Sequence, residues 1–264
     1  MNKKIYPSDL SDAEWKYLRK RLPSQKRIGR PREHSPREIV NGVFYLLRTG
    51  CAWRYLPKDY PNWKTVYHYF RLWRINGLFK RINKRLRQVI RRRAGRAGQS
   101  SVGIIDSQSV KTVDTACEEV GFDGGKKIKG RKRHILVDSL GLLIEVVVHA
   151  ANISETAGAR LVLNGLNGKW FRLKLIWLDG GYKSSLQEWI KTIQRWREVK
   201  LEWVKRLVES KGFQLLPKRW LVERTFGWLS KQRRLLKDYE TLTKTSEAMV
   251  QAAMIRLMLA RLEE

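Results

Sequence analysis

Up to residue 95, apolar residues recur at the three- and four-residue spacing of amphipathic helices. Ile39, Val40, Val43, Phe44, Leu46 and Leu47 form one apolar face. The stretch SPRE, Ser35 to Glu38, opens that helix with the spacing of a capping box and Pro36 at the first helical position, and Gly50 stops it. SDAE, Ser11 to Glu14, has the same box. After a turn rich in Pro and aromatic residues, Asn62 is placed to cap a helix with Trp63, Val66, Tyr67, Phe70 and Trp73 inside. Lys64, Thr65, His68, Arg71 and Arg74 lie opposite, so the pair of helices resembles a helix-turn-helix with a basic outer face. From Phe79 to Arg96 there are nine Lys or Arg and no acid, which points to phosphate contact, Arg91, Arg92 and Arg93 included. AGRAGQSS then supplies a flexible boundary.

After Ser100 the period changes. VGIID, Val102 to Asp106, reads as a short buried strand ending in an acid. Arg133–Val137 and Leu142–His149 read as two strands joined by a tight DSLG turn. A helix from Ser154 to about Leu166, a strand ending at Asp179, a helix over Ser185–Arg195, a strand in VKLEWVK and a last helix around Glu223 follow. This order predicts an α/β fold, a mixed sheet flanked by helices, behind an all-α region. The expected division is a helical DNA-binding domain over 1–95, a linker over 96–101 and a catalytic domain over 102–264. SEAMVQAAMIRLMLARL is apolar at helical spacing and reads as core packing, with a dimer contact as the lesser reading.

Three acids stand out against this pattern. In WLVERTFGWL a helical projection of about 100° per residue puts Trp220, Leu221, Val222, Phe226, Trp228, Leu229, Leu235 and Leu236 on one half. Glu223 falls in the other half with Arg219, Gly227, Ser230 and Arg234. A mid-helix glycine costs about 0.5–1 kcal/mol relative to alanine, so a close approach is expected at Gly227. The bland alternative is a surface pair of Glu223 with Arg219. Asp106 and Asp179 each follow an apolar strand, and the second precedes Gly180 and Gly181. If those strands are parallel neighbours, the carboxylates meet at the sheet edge where such folds bind ligands. They would repel there unless a divalent cation lay between them. Either aspartate alone could simply cap the turn after it.

Charge narrows the partner. Among 264 residues, 55 Lys and Arg against 25 Asp and Glu leave a formal charge of +30, while 42% apolar residues provide for a folded core. A folded chain this basic is expected to meet a polyanion, nucleic acid foremost. GRPR, Gly29 to Arg32, could lay Arg30 and Arg32 in a narrow minor groove or serve as a plain linker. The run KKIKGRK offers Lys126, Lys127, Lys129, Arg131 and Lys132 as a clamp on a DNA backbone, against a solvated loop. No apolar run approaches a membrane span and the first residues lack a signal-peptide core. Cys51 and Cys117 make no CxxC pair, which fits a reducing cytoplasm and argues against zinc or disulfides.

IIDSQSVKT, GGKKIKGRKRHILVDSLGLL, LDGGY, WLVERTFGWL with RRLLKDYE, and GRPREHSPREIVNGVFYLLRTGCAWRYLP together resemble the DDE transposases of bacterial insertion sequences, the insertion-sequence-five group in particular. The resemblance runs along almost the whole chain. It implies a ribonuclease H-like core and a catalytic, metal-binding triad of Asp106, Asp179 and Glu223. It also implies two Mg²⁺ ions, with Mn²⁺ as a substitute, and double-stranded DNA as partner, both terminal inverted repeats and target. A homodimer or larger assembly on DNA in the bacterial cytoplasm, at the nucleoid, follows in the same way. In the family signature around the glutamate, Arg219 and Glu223 match. Leu216 stands at the tyrosine position and Ser230 at the lysine position, with Lys231 next to it. Lys231 and Arg234 are therefore the candidate DNA contacts after the glutamate. The rival readings are a DNA-binding protein without chemistry and a nuclease on the same core.

Overall fold

The computed structural model describes residues 6–24, 32–113, 117–166, 172–193, 196, 198–204 and 220–263. Arg30 and Arg219 lie outside the described residues.

The helical region consists of α1 (Asp12–Arg19), α2 (Pro36–Thr49), α3 (Trp63–Ile75) and α4 (Leu78–Arg93). Its starts and stops follow the local chemistry. Ser11 with Glu14 and Ser35 with Glu38 both close reciprocal capping boxes, and Gly50 ends α2 in the left-handed region at φ 75°. Asn62 Oδ1 accepts from Lys64 N at 2.9 Å, capping α3.

The sheet contains β1 (Val102–Lys111), β2 (Gly121–Asp123), β3 (Ile128–Asp138), β4 (Leu143–Ala150), β5 (Leu175–Leu178) and β6 (Lys200–Trp203). The order is β2-β3-β1-β5-β6, with β4 also paired to β3. β3 runs antiparallel to β1, β2 and β4, whereas β1, β5 and β6 are mutually parallel. α5 (Glu155–Gly165) and α6 (Ser185–Thr192) contribute to the apolar cluster on one face, with Ile105, Leu136 and Ile176. On the other face α7 (Trp220–Ser230) and α8 (Thr243–Glu263) join Ile104, Ile135 and Val148. This is the mixed, helix-flanked sheet expected of a ribonuclease H-like core.

Three elements depart from expectation. β1 runs five residues past Asp106 and β3 starts at Ile128, well ahead of Arg133. Both extensions carry inward-facing polar side chains, so they lack the apolar alternation that marks a strand. The helix of Glu223 ends at Ser230, and after it Leu235 is buried while Leu236 is exposed. Residues 94–101 do join α4 to β1, yet the helical region and the sheet share one apolar cluster. The cause is α8, which packs on α1, α2, α3, α4 and β4 alike. Its apolar residues are therefore core, as expected.

Candidate active site

The parallel pairing of β1 with β5 registers Val102 with Leu175 and Ile104 with Trp177, and stops there. Carried two residues further, the same register sets Asp106 level with Asp179. Beyond Ile104 β1 continues along β3, with Asp106 opposite Ile135, while β5 ends at Leu178. The recorded pairing ends two residues short of the aspartates, at the strand edge where helix-linked parallel strands offer a ligand a crevice. Asp106 is thus mid-strand rather than at a strand end, and Asp179 directly follows the end of β5.

Side-chain alternation puts Asp106 with Ile104, and Asp179 with Trp177, on the face to which α7 belongs. α7 packs against β1, and Thr225 Oγ1 lies 2.8 Å from the Gly141 carbonyl in the β3–β4 turn. Arg224 donates to Leu140 O at 3.1 Å, with its guanidinium between the rings of Trp220 and Trp228 at 4.3 and 4.5 Å. Glu223 stands on the exposed side of this helix, with Gly227 one turn on. Among the described residues a Cβ on Gly227 would meet nothing within 4 Å, so none of them makes the close approach expected there. Gly180 has the same open surroundings beside Asp179.

The two aspartates are held by backbone. Asp106 Oδ1 accepts from Ser107 N at 2.7 Å and Asp179 Oδ1 from Gly181 N at 2.9 Å. The Asp179 loop is fixed further along, where Lys183 N donates to Thr156 Oγ1 at 2.9 Å and Trp203 Nε1 to Tyr182 O at 2.7 Å. Among the described residues no group of three His, Cys, Asp or Glu stands close enough to hold a metal ion. The carboxylates of Asp106 and Asp179 are hard oxygen donors of the kind that suits a hard divalent cation, and Glu223, on the helix that packs against β1, is a further such donor.

The predicted DNA contacts divide by burial. Lys64, His68 and Arg71 lie exposed along α3, although Tyr67, expected inside, is exposed with them. Arg92, Arg93, Lys126, Lys127, Lys129 and Lys231 are also exposed. Arg93 Nη1 donates to Leu262 O at 2.8 Å and Lys126 Nζ to Ser107 O at 3.3 Å, so these two also serve the chain itself.

Four others are corrected. Arg91 is buried against Asp138, 2.9 Å away. Arg131, 0% exposed, reaches Asp238 and the carbonyls of Glu118, Glu240 and Thr241. Lys132 donates to Ile153 O and Glu155, and Arg234 pairs with Glu240 at 2.8 Å. A cation enclosed with its counter-charge is not presented to a phosphate, so these four hold the fold together. Arg32 is half-buried, and its guanidinium staples the carbonyls of Pro23 and Ser24 at 3.1 and 3.2 Å.

The sequence reading also missed a polar cluster behind the crevice: Ser107, Lys132, His134, His149 and Glu155. Glu155 lies in the first turn of α5, and no local signal in the sequence ties it to residues on other elements.

Residues 10–83 match a family model described as "Putative transposase of IS4/5 family", and residues 97–258 match the "Transposase DDE domain". No curated protein and no solved structure gave a match. The second model spans more than half of the chain and contains Asp106, Asp179 and Glu223, and the two models together take in the helical region and the sheet. The helical region is thus similar to the IS4/5 family model, and the chain belongs to the transposases with a DDE domain.

Proposed function

We propose that this transposase binds the terminal inverted repeats of its own insertion sequence, cuts the DNA at the element's ends to expose 3′-hydroxyls, and joins these to target DNA. The observation that carries the reading is the parallel register of β1 and β5 that, carried two residues further, levels Asp106 with Asp179, with Glu223 on the helix that packs against β1. Asp106 and Asp179 would hold Mg²⁺, with Glu223 completing the donors. Two such ions, when bound, polarise the phosphate and stabilise charge on the attacking and leaving oxygens.

The chain's own part is placement. The backbone amides of Ser107 and Gly181 orient the two carboxylates. The open ground at Gly180 and Gly227 leaves room for a sugar-phosphate strand. In the first reaction a water oxygen attacks phosphorus, the P–O3′ bond breaks, and the departing 3′-oxygen takes a proton. In the second, that 3′-hydroxyl attacks a target phosphodiester, loses its proton and displaces a target 3′-oxygen. The exposed cations of α3, with Arg92, Lys127, Lys129 and Lys231, hold the duplex through its phosphates. Two copies, one on each end, bring both ends to one target.

The test is a labelled DNA fragment carrying the gene with its natural flanks, incubated with the protein and Mg²⁺ or Mn²⁺. Breaks are expected at an inverted repeat, leaving 3′-hydroxyls, and absent with Asp106→Ala, Asp179→Ala or Glu223→Ala. Specific binding without metal-dependent breaks would favour the non-catalytic reading instead.

A further inference from the structure

The cluster behind the crevice joins the two elements that carry the aspartates. Glu155, in the first turn of α5, lies with Oε1 3.0 Å from Lys132 Nζ and Oε2 2.9 Å from His134 Nε2. The second contact is close but not aligned as a good hydrogen bond. The Ser107 side chain, on the residue after Asp106, stands close enough to Glu155 to lower its pKa. On its other side Glu155 meets the Asp179 loop: a Cβ on Gly181 would sit 3.6 Å from Glu155 Cγ and 3.2 Å from Asp179 Oδ1. The next residue, Thr156, accepts from Lys183 N in that loop. One helical turn thus grips β1 beside Asp106 and the loop beginning at Asp179.

The ionic part of this grip is the pair of Lys132 with Glu155, and the histidines extend it. His149 Nδ1 lies 2.8 Å from Ala150 O, which can only accept, so that nitrogen carries hydrogen. In neutral His149 the Nε2 then accepts, and His134 Nδ1, 2.8 Å away, donates to it. His134 Nε2 stands 2.9 Å from the carboxylate without the alignment of a hydrogen bond. Burial draws His134 below the ordinary imidazole range, and Glu155 offsets this only in part. For Glu155, burial would raise the pKa, but His134 and Ser107 beside it and the bond from Lys132 outweigh it and hold the group ionised. α5 can lie so close because Gly158 has no Cβ, which would come 2.2 Å from His134 Cε1.

We propose that Glu155 is a positioning residue for DNA cleavage, its charge fixing the Asp179 loop against the strand of Asp106. The inference rests on the reading of these two aspartates as the catalytic pair. Removing the charge without changing the shape, as in Glu155→Gln, leaves Lys132 and His134 facing a neutral amide, and the loop loses its anchor. Residues that orient metal-bearing groups typically change metal affinity or activity by about 10- to 100-fold when altered.

The test compares wild type, Glu155→Gln and Glu155→Asp as full chains. It reads Mn²⁺ binding by the loss of the free-ion resonance signal, DNA-end affinity, and single-turnover cleavage at saturating DNA. The expected result for Glu155→Gln is DNA affinity near wild type, with Mn²⁺ affinity and cleavage each down by about 10-fold or more. Glu155→Asp, which keeps the charge, should recover part of both. Wild-type values for both in a folded Glu155→Gln protein would overturn the proposal. So would losses that only follow the unfolded fraction, with the folded protein binding Mn²⁺ normally in either variant. If the wild type itself neither binds Mn²⁺ at Asp106 and Asp179 nor cuts DNA, the catalytic reading fails first and this one falls with it.

Discussion

Gly227 separates the demands of folding from those of the substrate. It sits on the exposed side of α7 with nothing among the described residues within 4 Å of where a Cβ would lie. Gly227→Ala should therefore raise stability by about 0.5–1 kcal/mol, the helix-propensity gain of an interior alanine. The same methyl group would intrude beside Glu223, so DNA cleavage should fall while the melting temperature rises. Differential scanning calorimetry with the cleavage assay checks both, and equal or better cleavage would place the DNA elsewhere. His149 makes a second prediction at this scale. Burial first, against the bond to the Ala150 carbonyl, and then the neighbouring His134 draw its pKa from the ordinary 6.5 down to about 4. As pH falls, the unfolded chain takes up the proton before the folded one. The stabilisation from neutral His149 is therefore complete above pH 6.5 and lost toward pH 4. At about 1.4 kcal/mol per pH unit this amounts to about 3 kcal/mol. Urea unfolding of His149→Gln should show a pH dependence flatter by about that amount. A curve parallel to wild type would mean that His149 is charged when folded. Of the candidate site, Asp106, Asp179 and Glu223 stand out in the sequence because an acid after an apolar strand or inside an apolar helix is conspicuous. Glu155 does not, because an acid in the first turn of a helix is ordinary and its partners come from other elements.

Helix starts were the most legible elements, since a capping box is complete within four residues. Ser11 with Glu14, Ser35 with Glu38 and Asn62 all cap where the sequence places them. The strands were legible only where apolar. In β3 the cations Arg131, Lys132 and Arg133 point inward, and their counter-charges Asp238 and Glu155 lie far away in sequence. A run such as KKIKGRK therefore looks like a solvated loop until tertiary partners are known. The β3–β4 turn shows how heavily such elements depend on buried charge. Asp138, 0% exposed, pairs with Arg91 at 2.9 Å and accepts from Leu140 N and Leu142 N at 2.8 and 3.0 Å. Asp138→Ala strands the buried Arg91 and uncaps the turn on which α7 rests through Thr225. The expected loss is about 3–5 kcal/mol, the cost of breaking a buried pair by removing one partner. Chemical denaturation measures it, and a loss below about 1 kcal/mol would mean that water reaches Arg91.

Over the whole molecule the formal charge of +30 is spent in two ways, and sequence alone cannot sort them. One set is internal: Arg87, Arg91, Arg131, Lys132, Arg133 and Arg234 are buried. In several of these the solvation given up on burial is replaced by carbonyls and carboxylates, as around Arg131 and Arg234. The other set is outward, on α3, on the α4 end and on the β2–β3 hairpin. That hairpin is a firm platform: Asp123 accepts from Gly125 N and Lys126 N at 3.1 Å, which fixes its turn, and Ser109 bonds the same carboxylate from β1. Lys127 and Lys129 stand exposed on it. If they contact phosphates, Lys127→Gln with Lys129→Gln should lower the slope of log affinity against log salt by about 2, at about 0.9 per contact. Stability should be nearly unchanged, as for exposed side chains elsewhere. Arg131→Met should do the reverse, leaving Asp238 buried beside an apolar chain and weakening the fold, while the salt slope of the protein that remains folded stays at the wild-type value. DNA-binding isotherms at several salt concentrations, paired with urea unfolding, separate the two. A slope unchanged by the lysine pair would remove the hairpin from the DNA path. A slope reduced by Arg131→Met would mean that the buried cations are exposed when DNA binds.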